Sequence, residues 1–207
     1  MSQRQPLSVS ILVYDGVEAL DFAGPYEVFT TASRVHGRLD PEAEALFKVS
    51  CVSRDGQPIQ ARAGLRVLPE HSFSDSPPCD LLVVPGGVVD AAMACPQTLD
   101  WIARTAAQTQ ITASVCTGAF LLAACGVVRT ESVTTHWEDI ADLRARFPAL
   151  TVNEGPRWID HGHVVTSAGI SAGMDMSLHL VARLAGKLLA ERTARQMDYR
   201  WHADEPA

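Results

Sequence analysis

The 207-residue sequence lacks several features that mark large classes of proteins. Lysine and arginine form no cluster longer than a pair and the net charge is −7, which argues against a nucleic-acid-binding surface. No apolar stretch approaches the roughly 20 residues that span a bilayer, and no signal peptide opens the chain. We therefore expect a cytoplasmic protein that acts on a small molecule and binds neither nucleic acid nor a membrane.

Cysteine is present, but not in a pattern that pairs it. The cysteines are Cys51, Cys79, Cys95, Cys116 and Cys125. Their number is odd and no CxxC pair occurs, so the sequence indicates neither a disulfide framework nor a cysteine-rich zinc site. We expect reduced thiols and no bound metal.

What the sequence does contain is an alternation of strand and helix patterns along one uninterrupted chain. The hydrophobic fraction of 47% is ample for a full core, and no repeat, linker or low-complexity segment divides the sequence. We therefore predict one domain over residues 1–207. About five to seven predicted strands alternate with about six helices, which indicates an α/β three-layer sandwich with a mostly parallel sheet.

The individual elements follow from periodicity and turn residues. Strands are predicted over 7–14, 47–53, 81–84 and 111–115. Residues 59–68 are predicted as a small hairpin or an edge strand, 157–167 as a hairpin and 71–80 as a turn-rich segment. The helix after the first strand is expected to be broken at Gly24-Pro25, with Pro25 in a first helical turn. His136–Phe147 is predicted as one amphipathic helix. We interpret the HGH run at 161–163 as a hairpin turn and not as a metal site.

The stretch from Ile111 to Gly126, ITASVCTGAFLLAACG, predicts a strand, a sharp turn and a helix, with Cys116 at the turn. Free N–H groups at the helix start and the helix dipole stabilise a thiolate there, so we interpret Cys116 as a nucleophile and as the most acidic thiol of the chain. Thr117 presents an N–H and a hydroxyl beside the sulfur, and Gly118 lets the helix pack closely on the strand. The alternative is a buried, inert cysteine, which is common in apolar strands.

Two connections that follow strands are further candidates for the site. Asp21 falls between the first strand and its helix, where it is either a helix cap or an acid of the site; on the residues alone the cap is favoured. Pro85-Gly86-Gly87 follows a buried strand, and its N–H groups can approach a ligand closely, although a simple tight turn is the alternative. In an open parallel sheet, ligands collect at the carboxyl ends of the strands, where both connections lie.

The segments LDFAGPYEVF, LLVVPGG, SVCTG, TTHW and GISAGMD stand in an order that resembles the ThiJ/PfpI superfamily, a group related to class I glutamine amidotransferases. The resemblance runs from Leu7 to about Trp201. Within the superfamily the chain is similar to isocyanide hydratases and equally to the ligand-sensing domains of AraC-type regulators. The resemblance implies a flavodoxin-like three-layer sandwich, usually a homodimer, with Cys116 on a strained nucleophile elbow.

The resemblance also implies roles for other residues. It favours Asp21 as an acid rather than a cap, and it places His136 near the nucleophile, where it either acts directly or is simply packed. Protease-like members carry a histidine after the cysteine; here that residue is Thr117, so a peptidase triad of that kind is missing. The residues expected to border the substrate are Gly86, Gly87, Gly118, Ala168, Gly169 and Ile170.

The function that the resemblance favours is the hydration of an isocyanide, without a metal or an organic cofactor. The Cys116 thiolate attacks the terminal carbon, Asp21 protonates that carbon, and water then releases an N-substituted formamide. The N–H groups of Gly86, Gly87 and Thr117 steady the charge that develops on the adduct.

Two other functions stay open. A metabolite- or redox-sensing domain would use the same pocket without turnover, but a regulator of this type needs a helix-turn-helix region, and only a few residues follow Trp201. Glyoxalase- or deglycase-like activity on reactive carbonyls would share the nucleophile and differ in its product. We therefore expect an enzyme with a small electrophilic substrate.

Overall fold

Short apolar segments build a central sheet, in a computed structural model that describes residues 5–40, 42 and 44–203. The opening residues and Ala207, on which the expectations about a signal peptide and a helix-turn-helix region rest, lie outside these ranges. The described strands are β1 (Leu7–Leu12), β2 (Phe47–Ser53), β3 (Ile59–Gln60), β4 (Arg66–Val67), β5 (His71–Ser72), β6 (Leu81–Val84), β7 (Ile111–Val115), β8 (Ser132–Val133), β9 (Thr151–Val152), β10 (Trp158–Asp160) and β11 (Val164–Ser167). The strands predicted over 47–53 and 81–84 are confirmed at both ends.

Seven of these strands form the main sheet, in the order β10-β11-β7-β6-β1-β2-β5. Neighbouring strands in it are parallel except β10 and β11, which form the antiparallel hairpin predicted around His161-Gly162. The central five strands have the order of flavodoxin-like sheets, in which the direction of winding reverses between β1 and β6. The predicted fold class is confirmed, and the reversal opens a crevice at the carboxyl ends of β1 and β6, where such sheets bind ligands.

Helices cover both faces of this sheet. They are α1 (Ala19–Leu39), α2 (Asp90–Met93), α3 (Pro96–Ala106), α4 (Gly118–Ala124), α5 (Ile140–Arg146), α6 (Ala172–Ala185) and α7 (Lys187–Gln196). Side chains alternate along the strands, so Val9 and Ile11 pack on the side of α1, α6 and α7, whereas Leu12 packs on the side of α2 to α5. Among the described helices, none is long and apolar enough to cross a membrane.

The first helix departs from the prediction. It runs without a break through Gly24 and Pro25, so the expected interruption there is wrong. Pro25 deprives the helix of the hydrogen bond to the carbonyl of Asp21, four residues earlier. Gly24 brings α6 close, since a Cβ at this position would lie 2.9 Å from Met174 Cγ. Packing against α6 thus stabilises a helix whose local sequence indicates a stop, and Asp21 lies in the first turn of α1 rather than in a loop.

Two smaller details also differ from the sequence pattern. The turn-rich segment 71–80 contains β5, which pairs in parallel with the end of β2 at the edge of the sheet. The predicted helix His136–Phe147 begins as a 3-10 turn, Trp137–Asp139, and becomes α-helical only at α5. His136 supports this start, because its side chain accepts a hydrogen bond from the Glu138 N–H.

The start of α4 lies directly against the end of β6. A Cβ at Gly118 would overlap the carbonyl oxygen of Val84 and lie 3.0 Å from the carbonyl carbon. The predicted close packing of this helix on a strand is therefore confirmed. As a result, the loops that follow β6 and β7 lie side by side, which sets the positions of Gly86 and Cys116.

We expect Gly118→Ala to destabilise the protein by about 1 to 3 kcal/mol, the usual cost of overpacking, because the backbone of Val84 cannot rotate away from a new methyl group. Gly37→Ala is the matched control: it also lies in a helix, nothing lies within 4 Å of an added Cβ, and alanine favours a helix by about 1 kcal/mol. Urea unfolding of both variants checks this. A Gly118→Ala protein as stable as the Gly37→Ala protein would contradict it.

A buried carboxylate ties the end of the described chain to the rest of the fold. Asp175, in α6, has no exposed surface. Its Oδ2 accepts a hydrogen bond from Arg157 Nε at 2.6 Å, and its Oδ1 accepts one from the His202 N–H at 3.0 Å. Its backbone carbonyl accepts a further bond from Trp201 Nε1 at 3.2 Å. These bonds fix the segment after α7 and the start of β10 to α6.

Asp175→Ala should lower the free energy of unfolding by about 3 to 5 kcal/mol, because Arg157, whose side chain is 24% exposed, loses the opposite charge that compensates its burial. Glu27→Ala is the control, since it breaks an ion pair with Arg34 in which both side chains are more than half exposed. That change should cost at most about 1 kcal/mol. Chemical denaturation of both variants measures the contrast, and equal losses would show that the Asp175 pair stabilises no more than a surface pair.

Candidate active site

Three chain segments bring the predicted site residues together at the carboxyl ends of the central strands. Asp21 follows β1, Gly86 follows β6 and Cys116 follows β7. A Cβ at Gly86 would lie 2.5 Å from the Thr117 nitrogen and 2.9 Å from Asp21 Oδ2, so the Gly86 backbone contacts both groups. The candidate acid and the candidate nucleophile therefore meet in the crevice between β1 and β6.

Cys116 has the backbone conformation of a strained elbow. Its φ is +54°, in the left-handed region that residues other than glycine rarely adopt. Two hydrogen bonds hold it there: its N–H donates to the Ser167 carbonyl at 3.1 Å, and its carbonyl accepts from Thr135 Oγ1 at 2.9 Å. The residue is 7% exposed and lines a cavity. Neighbouring segments thus fix the direction in which the sulfur points.

Asp21 is a buried carboxyl group with one oxygen unused. It has no exposed surface; Oδ2 accepts a hydrogen bond from the Gly86 N–H at 3.1 Å, and Oδ1 has no partner in the part of the chain that the structure describes. It is not a cap, because α1 begins after Glu18 and Asp21 is its third residue. Burial raises the pKa of Asp21 to about 7, against the lowering effect of the Gly86 N–H. A group with this pKa both accepts and donates a proton near neutral pH.

Two of the N–H groups expected to face the substrate are already occupied. The Gly86 N–H bonds Asp21, and the Gly87 N–H bonds Thr117 Oγ1 at 2.9 Å. The Thr117 hydroxyl donates its own proton to the Gly87 carbonyl at 2.9 Å, so that proton is not free for a substrate. The N–H groups of these two glycines therefore hold Asp21 and Thr117, which corrects the prediction that they stabilise charge on the adduct. The Thr117 N–H remains, and it lowers the pKa of Cys116.

The structure contradicts the expectation that Cys116 is the most acidic thiol. Burial raises the pKa of Cys116, the charge of Asp21 raises it further, and the Thr117 N–H lowers it. The pKa of Cys95, by contrast, is lowered, chiefly by the side chain of Thr98. The reason is that α4 has only seven residues, so its dipole does not offset burial and a neighbouring carboxylate. Asp21 and Cys116 share a site that accommodates one negative charge more readily than two.

His136 lies beside the nucleophile without bonding to it. A Cβ at Gly169 would overlap His136 Cδ2 and lie 3.2 Å from Cys116 Sγ, so Gly169 touches both side chains. The ring Nδ1 accepts a hydrogen bond from the Glu138 N–H at 3.4 Å and lies 3.4 Å from Asp139 Oδ2. Among the described residues no hydrogen bond joins His136 to Cys116. The structure thus places His136 in the wall of the site.

A cavity of about 350 Å³ opens above Cys116, a size suited to a small molecule. Of the residues expected to border the substrate, Gly87 and Ile170 line it, together with Thr117 and His136. The others, Gly86, Gly118, Ala168 and Gly169, are described residues that do not belong to the lining. The rest of the lining is Glu18, Arg62, Val88, Val89, Asp90, Phe120, Glu138, Asp139, Asp142 and Arg146. Within the described ranges, no group of three or more His, Cys, Asp or Glu side chains is placed to hold a metal ion.

Sequence reasoning missed several polar residues of the site. Tyr14 donates a hydrogen bond to the Pro85 carbonyl at 3.0 Å, and burial followed by the charge of Asp21 raises its pKa well above its usual range. Glu18 lines the cavity, and its charge contributes to the raised pKa of Asp21. Both lie in the loop that follows β1, and this position at the carboxyl end of a strand is the signal by which they could have been found. The acids in the run WEDIAD after His136 also line the cavity, although their pattern indicates only an amphipathic helix.

Comparison with known proteins is consistent with this geometry. A family model described as the DJ-1/PfpI family matches residues 7–183. Isonitrile hydratase of Pseudomonas putida is 34% identical over 194 residues, which cover 93% of this chain and 78% of that protein. The HTH-type transcriptional regulator GbdR of Pseudomonas aeruginosa is 28% identical over 196 residues, which cover 95% of this chain and 52% of the regulator. The crystal structure of a ThiJ/PfpI family protein from Pseudomonas syringae is 28% identical with a TM-score of 0.82, covering 95% of this chain and 76% of that one.

Replacing Asp21 by asparagine should lower the pKa of the Cys116 thiol. Asparagine can keep the hydrogen bond from Gly86, and it removes the negative charge that disfavours a thiolate. The pH profile of iodoacetamide alkylation at Cys116, followed by peptide mass spectrometry, should therefore move to lower pH. Asp15→Asn, a change of an exposed carboxylate on the same loop, should leave the profile in place. An unmoved profile in Asp21→Asn would mean that Asp21 carries no charge that acts on the sulfur.

Proposed function

Because the chain belongs to the DJ-1/PfpI family, we propose that it is a cysteine-dependent hydratase that converts a small isonitrile (isocyanide) into an N-substituted formamide. One observation carries this proposal: a buried carboxyl group, Asp21, has a pKa of about 7 and an oxygen without a partner, and it acts on the Cys116 thiol. The similarity to a protein named isonitrile hydratase supports it.

The first step forms a carbon–sulfur bond. The Cys116 thiol passes its proton to the Asp21 carboxylate as the sulfur attacks the terminal carbon of the isonitrile. Protonated Asp21 then gives that proton to the same carbon, which yields a thioimidate, R–N=CH–S–Cys116. The raised pKa of Cys116 suits this sequence, because the proton held on the resting thiol is the one that the carbon needs. The pair never carries two negative charges, which agrees with the burial of both groups.

Water completes the reaction. It adds to the thioimidate carbon while Asp21 accepts one of its protons and passes it to the nitrogen, which gives R–NH–CH(OH)–S–Cys116. Asp21 then moves the hydroxyl proton to the sulfur as the carbon–sulfur bond breaks, so the Cys116 thiol re-forms and one isonitrile and one water give one formamide, R–NH–CHO. The Thr117 N–H stabilises the negative charge that returns to the sulfur. His136 shapes the wall of the cavity in this scheme and moves no proton.

Several expectations stay predictions beside this proposal. They are a homodimer, one domain over residues 1–207, a cytoplasmic location and catalysis without a metal or organic cofactor. None of them is required by the chemistry of Asp21 and Cys116.

A sensor of a metabolite or of oxidation is the second candidate function. The similarity to a transcriptional regulator supports it, although this chain spans about half of that regulator's length. The raised pKa of Cys116 counts against a sensor of oxidation, because the thiolate is the form that an oxidant attacks, and leaves a metabolite sensor as the stronger version of this candidate. A sensor would bind its signal or react once, whereas a hydratase turns over.

Turnover assays separate the two candidates. Small isonitriles should give formamides, Cys116→Ala should abolish the reaction, and Asp21→Asn should lower kcat by about 100- to 10,000-fold, the usual contribution of a positioned acid. Cys95→Ser is the control, since this thiol lies outside the lining of the cavity at Cys116 and should leave kcat unchanged. Product mass spectrometry with melting temperatures of all variants makes the measurement.

The Asp21→Asn variant is informative because its two readouts should move in opposite directions. Its thiolate forms at lower pH, yet its turnover falls because no acid delivers the proton. Normal turnover by the folded variant would remove Asp21 from the mechanism. Turnover of dicarbonyls in place of isonitriles would indicate a glyoxalase-like enzyme, and oxidation of Cys116 by peroxide with no turnover of any substrate would indicate the sensor.

A further inference from the structure

More carboxylate than guanidinium groups line the cavity above Cys116. Its lining contains the carboxylates of Glu18, Asp90, Glu138, Asp139 and Asp142 and the guanidinium groups of Arg62 and Arg146. Arg62 Nη1 lies 3.5 Å from Glu18 Oε2. Arg146 Nη1 lies 4.0 Å from Asp90 Oδ1. Each arginine of the lining thus faces one carboxylate, and the other carboxylates have no arginine among the lining residues.

Those other carboxylates are Glu138, Asp139 and Asp142, which we call the acidic rim. The basic side chain that the described structure places within 4 Å of them is His136, whose Nδ1 lies 3.4 Å from Asp139 Oδ2 and 3.7 Å from Glu138 Oε2. This nitrogen accepts a hydrogen bond from the Glu138 N–H and so holds no proton in this arrangement, and even a protonated ring would offset only one of the three charges. The mouth of the cavity is therefore negative in either state of His136.

The acidic rim acts on the reacting centre. The side chain of Asp139 is 34% exposed, and its charge contributes to the raised pKa of Cys116, after burial and Asp21. Burial and the charges of the other two rim residues raise the pKa of Asp139 itself, against the effect of His136. A second observation marks the cavity as a ligand site: Cys116, whose backbone is held at the strained φ of +54°, lines the same cavity as the three rim residues.

We propose that the acidic rim selects substrates by charge, so that an isonitrile with a cationic substituent is preferred, an uncharged one is accepted and one with a carboxylate or phosphate is rejected. The isonitrile in this inference rests on the proposed function; the charge preference rests on the rim alone. Val88, Phe120 and Ile170 supply an apolar wall for the carbon chain of the substituent. A chain that lies along this wall reaches the mouth of the cavity, where the rim meets its charged end.

The expected size of the effect follows from electrostatics. A cleft lined by one sign of charge raises the local concentration of counter-ions by about 10-fold or more. The field is screened by salt, because the Debye length falls from about 30 Å at 0.01 M to about 3 Å at 1 M. A preference caused by the rim must therefore shrink as salt is added, whereas a preference caused by shape must not.

Charged thiol reagents test the rim without any substrate. Trimethylammonioethyl methanethiosulfonate and sulfonatoethyl methanethiosulfonate are similar in size and opposite in charge. Each transfers its thioalkyl group to the Cys116 sulfur, with methanesulfinate as the leaving group. The rate at Cys116, followed by peptide mass spectrometry and divided by the rate with free mercaptoethanol, should favour the cationic reagent by about 10-fold at low salt. At about 1 M salt the ratio should approach one.

Two double variants connect that ratio to the rim. Glu138→Gln with Asp142→Asn should reduce the preference for the cationic reagent several-fold at low salt. Asp100→Asn with Glu191→Gln removes the same number of charges at exposed positions outside the cavity and should leave the preference unchanged. A ratio near one in the unmodified protein, a preference for the anionic reagent, or an unchanged ratio in the rim variant would each overturn the inference.

Isonitriles of different charge give the second arm. Trimethylammonioethyl isonitrile and tert-butylethyl isonitrile have the same shape and differ in charge, and isocyanoacetate adds a negative charge. Their kcat/KM values should fall in that order, and the differences should be smaller in the rim variant. Turnover without a charge preference would overturn the inference and leave the hydratase in place. Failure of all three substrates would count against the hydratase, while the reagent ratio at Cys116 would still decide the role of the rim.

Discussion

Two acidic groups buried side by side constrain the rest of this site. Asp21 has no exposed surface and Cys116 is 7% exposed, and surroundings of low polarity disfavour two negative charges there. One N–H group acts on each of them: the Gly86 N–H donates a hydrogen bond to the carboxylate, and the Thr117 N–H lowers the pKa of the thiol. Close packing at Gly118 and the strained φ of Cys116 keep the two groups together. The chemistry open to such a pair is the movement of one proton between an acid, a thiol and a bound electrophile.

Much of the fold could be predicted from the sequence, because periodicity and turn residues agree over most of the chain. β2 and β6 end where Asp55-Gly56 and Pro85-Gly86 follow apolar runs, and the same logic places Cys116 after β7. The errors fall where a tertiary contact overrides a local signal. α1 continues through Pro25 because α6 packs against it, and β5 exists because β2 offers it a partner.

The site residues could be located from the sequence, but their bonds could not. The pattern of a single segment is enough to identify Asp21 after β1 or Cys116 after β7. The pKa of Asp21, however, depends on Cys116 and the pKa of Cys116 depends on Asp21, so neither can be inferred from one segment alone. Reasoning from α4 alone therefore gave the wrong direction for the pKa of the thiol. The acidic rim could not be predicted for a related reason. The spacing of its three acids is typical of a solvent-exposed helix face, and only the fold places that face in the same cavity as Cys116.

The short strands at the two ends of the main sheet bear on how the chain avoids aggregation. β5 has two residues and β10 has three, so neither edge offers a long row of free N–H and C=O groups to another chain. Asp160 on β10 also holds Arg183 at 2.8 Å and His179 at 2.6 Å, which sets charged groups along that edge. Parallel sheets form slowly, because their strands are distant in sequence. Because the edge strands are short and one of them has charged side chains beside it, they offer few free backbone N–H and C=O groups to a neighbouring copy while the sheet forms.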